Sequence, residues 1–385
     1  MKADQAPTAE TSTSTPTPLV SPTASGTVES SPNEKVTVEA TAAATAEPTP
    51  SLPGVYRGIW ISEDELAQLP TQGTAWENLI ITAAEKVKKP DLGDQDDDSN
   101  VIVLAKALVY ARTGETDHRN DVRDAIEYIT TENTEKGGRT LALGRELVAY
   151  VIAADLINLP ELDPDLDQLF REKLTELLTK KLQNGRTLTN THEQRPNNWG
   201  THAGASRAAI AIYLWDPAEL EKTAQVFKGW LGDRDAYSNF EYGNMSWQCS
   251  SREPVGINPI GCTKDDILID GAQPEEMRRG GKFQWPPKET GYPWEALQGA
   301  LVQAIILHRA GYDVWEWQDR ALLRAVEFLY SVEWVPEGDD MWLPWLINFF
   351  YNTEYPTVSP VRAGKNMGFT DWTHAPSNKD QILAE

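Results

Sequence analysis

An all-α protein with a few long loops is the fold class this sequence predicts, and three observations predict it. Apolar residues recur at spacings of three and four through nearly all of the chain after residue 52. No run shows the strict alternation of a half-buried strand. Glycine and proline fall between the periodic runs, at Gly114, Gly137-Gly138, Pro160 and Gly311, where helices stop.

The first 52 residues are a Ser/Thr/Pro/Ala run, as in Thr11-Ser-Thr-Ser-Thr-Pro-Thr-Pro. Such a run buries too little apolar surface to offset its ordering entropy, so 1–52 is expected to be a disordered linker and 53–385 the folded domain. Within that domain the first helix is predicted over Ala75–Val87. The second covers Val101–Arg112, with Ile102, Leu104, Ala105, Leu108 and Val109 supplying its apolar positions. Asp121–Thr130 follows, then Leu141–Leu156, where Leu147, Val148, Val151 and Ile152 share a face. Leu166–Leu182, Ala203–Leu214, Leu220–Leu231, Pro293–Ala310 and Arg320–Val332 complete the series. Helical hairpins of this length close into a ring or stack into a solenoid.

Two stretches break the pattern. Asp94-Gln-Asp96-Asp97-Asp98 lacks the glycine and distal glutamate of a calcium loop, and is expected to be a solvated loop capping a helix at Asn100. Asp233–Pro293 is the longest irregular segment, and loops of that length usually have a function. It holds Trp247, Trp285 and both cysteines. Cys249 and Cys262 are expected to form a disulfide, which would contribute on the order of 3 kcal/mol in an exported protein.

The net charge of −23 argues against nucleic-acid and anionic-membrane partners, which need a basic footprint. No stretch approaches the ~20 apolar residues of a membrane span. A tail of this composition suits a tether, so an export signal ahead of it, attachment through a lipid and a secreted or cell-surface monomer are expected. The 14 tryptophans are several-fold above average usage. They suit stacking on sugar rings as well as core packing.

Two segments carry chemistry. In His192-Glu-Gln-Arg-Pro-Asn197-Asn198-Trp199-Gly200-Thr-His202, amides, a ring and two histidines crowd a helix start, where backbone N–H groups favour an anion. The other is Asp270-Gly-Ala-Gln-Pro-Glu-Glu-Met-Arg278-Arg279-Gly280-Gly281-Lys282, followed by Tyr292 at the next helix start. These residues fit β-elimination in a uronate. The C5 proton becomes removable only when the adjacent carboxylate is neutralised, which Asn197, Asn198 and an arginine can do. A base takes the proton and an acid protonates the departing glycosidic oxygen. Tyr292 can donate, and beside an arginine it can also accept. His202 is the other candidate base.

Asp270-Gly271-x-x-Pro274-x-Glu276-Met277-x-Arg279-Gly280 resembles the alginate lyase signature D-G-x-x-P-x-E-L-x-R-G. Tyr292-Pro-Trp-Glu-Ala296-Leu297 resembles the family's Y-x-x-x-A-L continuation. Asn197-Asn198 resembles its N-N-H-S-Y-W motif, and 94–126 and 145–159 resemble its early helices. The resemblance implies an (α/α) toroid and a lyase without organic cofactor. It gives Asn198 and Arg279 the carboxylate-neutralising role and Tyr292 the acid, with base function open between Tyr292 and His202. Trp199 stands where the family has histidine, and the spacer from Arg279 to Tyr292 is longer. Both widen the expected substrate from alginate or polymannuronate to glucuronan and other uronate polymers.

Around this centre, His192, Arg278, Trp199, Trp247 and Lys365 are candidate substrate contacts, with Arg362 and His374 at the rim. His118 and His308 need no function. The histidines lack the spacing of a metal motif. Two other classes remain: a glycoside hydrolase drawing its carboxylates from Glu241, Asp270, Glu276 and Glu295, and a non-catalytic glycan-binding protein.

Overall fold

A computed structural model describes residues 58–359 and 363–379; the expected linker and Arg362 lie outside the described residues. The chain enters through α1 (Glu63–Gln68), started by a capping box between Ser62 and Glu65, and α2 (Thr74–Ala83). It continues through α3 (Ser99–Thr113), α4 (Thr116–Thr131), α5 (Thr140–Leu156), the single turn α6 (Leu159–Leu162), α7 (Pro164–Thr179), α8 (Leu188–Gln194), α9 (Asn198–Tyr213) and α10 (Pro217–Leu231). The long irregular segment holds a small antiparallel hairpin, β1 (Thr263–Lys264) with β2 (Ile267–Leu268), and then α11 (Pro274–Met277). Last come α12 (Tyr292–Arg309), α13 (Trp317–Ser331), α14 (Leu343–Tyr351) and α15 (Thr370–Thr373).

The helices sort into two layers by the width of their apolar surface. In α3, α5, α9 and α12 almost every residue is buried, charged ones included. A helix apolar on all sides must be covered on all sides. These four form the inner series, each packed on the next. The series closes through α14, α15 and α2 back to α3. At the closure Trp76 meets Trp372 with ring centroids 5.2 Å apart, and the Trp372 indole donates to the Pro70 carbonyl at 2.8 Å. The helices α4, α7, α10 and α13 bury one face each and form the outer layer. The architecture is all-α, an incomplete toroid of helical hairpins.

Small residues let the inner backbones approach. A Cβ added at Gly144 of α5 would lie 2.9 Å from the Ala203 nitrogen of α9, and one at Gly299 of α12 would overlap the α9 backbone at Thr201–His202. The α9 start is thereby held between α5 and α12.

All nine helices expected from the spacing are present, but their ends differ. α9 begins at Asn198, five residues before the apolar period starts at Ala203, because its first turn is polar and is capped from outside the helix. α2 ends at Ala83. The acidic run caps α3 as expected, one residue earlier than Asn100: its Asp97 accepts from the Ser99 N–H at 2.6 Å. Asn100 lies inside α3, donating to the Lys365 carbonyl at 2.9 Å. Cys249 and Cys262 form a disulfide with Cα atoms 5.8 Å apart.

Candidate active site

The segment 270–279 fastens the starts of α9 and α12 together. Asp270 pairs with Arg324 of α13 and accepts from the Gly261 N–H at 2.9 Å. Gly271 has φ +75°, and an added Cβ there would overlap the Arg324 carbonyl. Gln273 donates to the Pro293 carbonyl on α12 at 3.3 Å. Glu276 accepts the Asn198 N–H at the head of α9. Three residues on, the Arg279 guanidinium covers the Tyr292 ring, 3.8 Å from its centroid. Most of the signature is therefore scaffold, and Arg279 is the residue it presents. Gly271→Ala combines left-handed backbone with a backbone clash. It should cost roughly 3 kcal/mol or more, read by denaturant unfolding.

Glu276 is buried, and burial pushes its carboxyl up to about 8, against the lowering effects of the Asn198 N–H and nearby Arg279. The folded form thus holds a proton that the unfolded chain releases near its ordinary value of 4.5. Stability from this group is complete below about pH 4.5 and is lost as pH rises through about 8, a change on the order of 5 kcal/mol. Asp340, pushed up to about 7 by burial, adds a slope of the same sign. Glu276→Gln should therefore flatten part of the fall in melting temperature between pH 5 and 8. The difference between wild type and variant is the reading, and identical slopes would refute the assignment.

One turn along α12, Glu295 pairs with Arg145 of α5 and lies 3.5 Å from the His202 Nε2. His202 is fully buried, and neither ring nitrogen has a hydrogen-bond partner among the described residues. Burial, with help from Arg145 and Lys365, holds its pKa well below the usual histidine value, so the imidazole is neutral. A further turn on, Gln298 donates to Asp340 at 2.7 Å and accepts from the Lys365 N–H at 3.2 Å. The Lys365 ammonium sits 3.6 Å from Asp96 and 4.0 Å from Asp339.

Asn197 and Asn198 are buried, and neither side-chain oxygen has a partner among the described residues. Trp199 is half-buried under the Arg195 guanidinium, 5.4 Å from the ring centroid. Arg278 is tied to Glu275, with Nε at 2.6 Å. Three expected contacts are buried against other protein groups. His192 is buried against Arg207 and Gln303, at 3.4 and 3.3 Å. Trp247 is 1 % exposed, its indole donating to the Gly281 carbonyl at 3.1 Å. His374 is packed edge-on against Trp60, and burial pushes its pKa down to about 3.

The carboxylates a hydrolase would use are each committed. Glu241 pairs with Arg186 at 2.7 Å, Asp270 with Arg324 and Glu295 with Arg145, while Glu276 caps α9. Arg145, Arg195, Gln298 and Asp340 carry no role in the sequence reading, and Glu295 enters it only as a hydrolase carboxylate. Arg145-Glu146 inside the apolar run of α5 was a legible signal, since two adjacent charges there are buried and must serve something.

Residues 106–236 match the model of the alginate lyase family. The match takes in Asn197–His202 and ends before Asp270. Among solved structures, the chain is similar to an alginate lyase from Bacteroides ovatus, with 15 % identity, 83 % of this chain and 92 % of that chain covered, and a TM-score of 0.48. No curated protein matches the sequence. Polysaccharide lyase is the enzyme class the family match supports.

Proposed function

We propose that this chain cleaves an acidic, uronate-containing polysaccharide by β-elimination at the junction of α9 and α12. The observation that carries the reading is Arg279: it lies over Tyr292 and has no carboxylate within ion-pair distance among the described residues. An uncommitted guanidinium beside a phenol suits a substrate carboxylate next to a departing oxygen.

In this reading Asn198 and Arg279 neutralise the uronate carboxylate, with Asn197 alongside. The C5–H proton passes to the base, its electron pair forms the C4–C5 double bond, and the C4–O bond breaks. Tyr292 gives its proton to the leaving oxygen. His202 is neutral and chemically able to act as base, but is fully buried beside Glu295. Tyr292, 37 % exposed, is the accessible alternative. Trp199 and Arg195 continue the surface along which the polymer would lie.

Alginate, polymannuronate and glucuronan are the first substrates to try. Incubation should produce the ultraviolet absorbance of the unsaturated uronate. Folded protein giving reducing ends without that chromophore would instead support hydrolysis. Export to the cell surface fits the Ser/Thr/Pro-rich start and the disulfide. Among the described residues, no helix is long and apolar enough to cross a membrane.

A further inference from the structure

Tyr292, Glu295 and Gln298 lie on successive turns of α12 and span about 9 Å along its axis. That length places the groups around Gln298 within reach of a sugar neighbouring the one at Tyr292. The two ends of this line differ in charge. At the Tyr292 end, Arg279 and Arg195 have no carboxylate within ion-pair distance among the described residues, and cover Tyr292 and Trp199 respectively. At the other end every cation is already held. Arg145 pairs with Glu295, and Lys365 lies between Asp96 and Asp339. With Glu295, Asp96 and Asp339 against Arg145 and Lys365, the carboxylates there outnumber the cations. The Asp96 side chain is 67 % exposed and that of Asp339 37 %, so both carboxylates face solvent beside Lys365.

A substrate carboxylate at that end would meet Asp96 and Asp339, while Lys365 is already engaged. At contacts closer than the Debye length of about 8 Å at physiological salt, such repulsion is only partly screened. Resting on the uronate-lyase reading, we infer that Asp96 and Asp339 determine specificity. The sugar on their side of the scissile uronate carries no negative charge. The substrate is thus a heteropolymer in which uronates are separated by neutral sugars, rather than a continuous polyuronate. Exclusion by a misplaced like charge is a common source of such selectivity.

The test compares kcat/KM for unsaturated-product formation on two polymer classes. Polymannuronate and glucuronan are fully charged; hyaluronan and unsulfated chondroitin alternate a uronate with an N-acetylhexosamine. At low salt the alternating class should be favoured by about tenfold or more, and added salt should narrow the ratio. Asp96→Asn with Asp339→Asn should also narrow it, by raising turnover of the polyuronates. Both positions are exposed, and a thermal melt reports whether the variant folds. Equal or better cleavage of the polyuronates by wild type, or a ratio unmoved in the folded double variant, overturns the inference and leaves the lyase reading intact. No unsaturated product from either class sinks the lyase reading itself.

Discussion

Tyr292→Phe should lower kcat by about 10³-fold while leaving KM nearly unchanged, since a positioned acid contributes roughly 10²–10⁴. The substitution removes one oxygen. Tyr292 is exposed and its side chain covers Arg279 through the ring, which phenylalanine retains. Packing and the cation–π contact should therefore survive, and melting temperature should not move. A loss of kcat alone means the hydroxyl acts only as charge develops on the leaving oxygen. If Tyr292 also takes the C5 proton, nothing in the variant replaces that step. If His202 does so, residual cleavage should remain. Cleavage by Tyr292→Phe at the wild-type rate would remove Tyr292 from the chemistry.

Arg279→Ala should reduce kcat/KM by roughly 10²–10³-fold, as for loss of one preorganised donor to a developing anion. Both kcat and KM should change here, because the guanidinium would meet the substrate carboxylate in the ground state and more strongly as C5 loses its proton. Arg279→Lys should recover only part of the activity. An ammonium keeps the charge but lacks the planar fork that meets a carboxylate with two parallel bonds. Arg278→Ala is the control: its guanidinium is already held by Glu275, so its effect should be smaller and fall on stability. Equal losses at Arg278 and Arg279 would count against the uncommitted guanidinium as the active one.

The helical core was legible because burial on a helix writes itself at spacings of three and four. The expected helices in α3, α5, α7, α10, α12 and α13 correspond to periodic runs with punctuation at their ends. α14 was not recognised: Leu-Pro-Trp-Leu-Ile-Asn-Phe-Phe-Tyr is apolar nearly throughout, and such a run shows no face to read. The one-turn helices α6, α11 and α15 are too short for any period to show. Tryptophan was ambiguous for a related reason. Trp247 and Trp199 look alike in sequence, yet one is sealed under Gly281 and Phe283 and the other lies half-buried beneath Arg195.

The Asp270–Tyr292 segment could be marked from sequence, since a dense run of charged and special-backbone residues in a long loop has few other uses. The division of labour within it could not. Asp270, Gly271, Gln273 and Glu276 act on α13, α12 and α9, elements distant in the chain, and only their contacts reveal them as scaffold. The same holds for Arg145, whose partner Glu295 is 150 residues away. Sequence by itself determined the helices and the chemical types available at two helix starts, because both follow from local order along the chain. The tertiary structure alone decided which charges are cancelled and which remain free. Pairing depends on distance in space, and the ring brings together side chains that the chain keeps far apart.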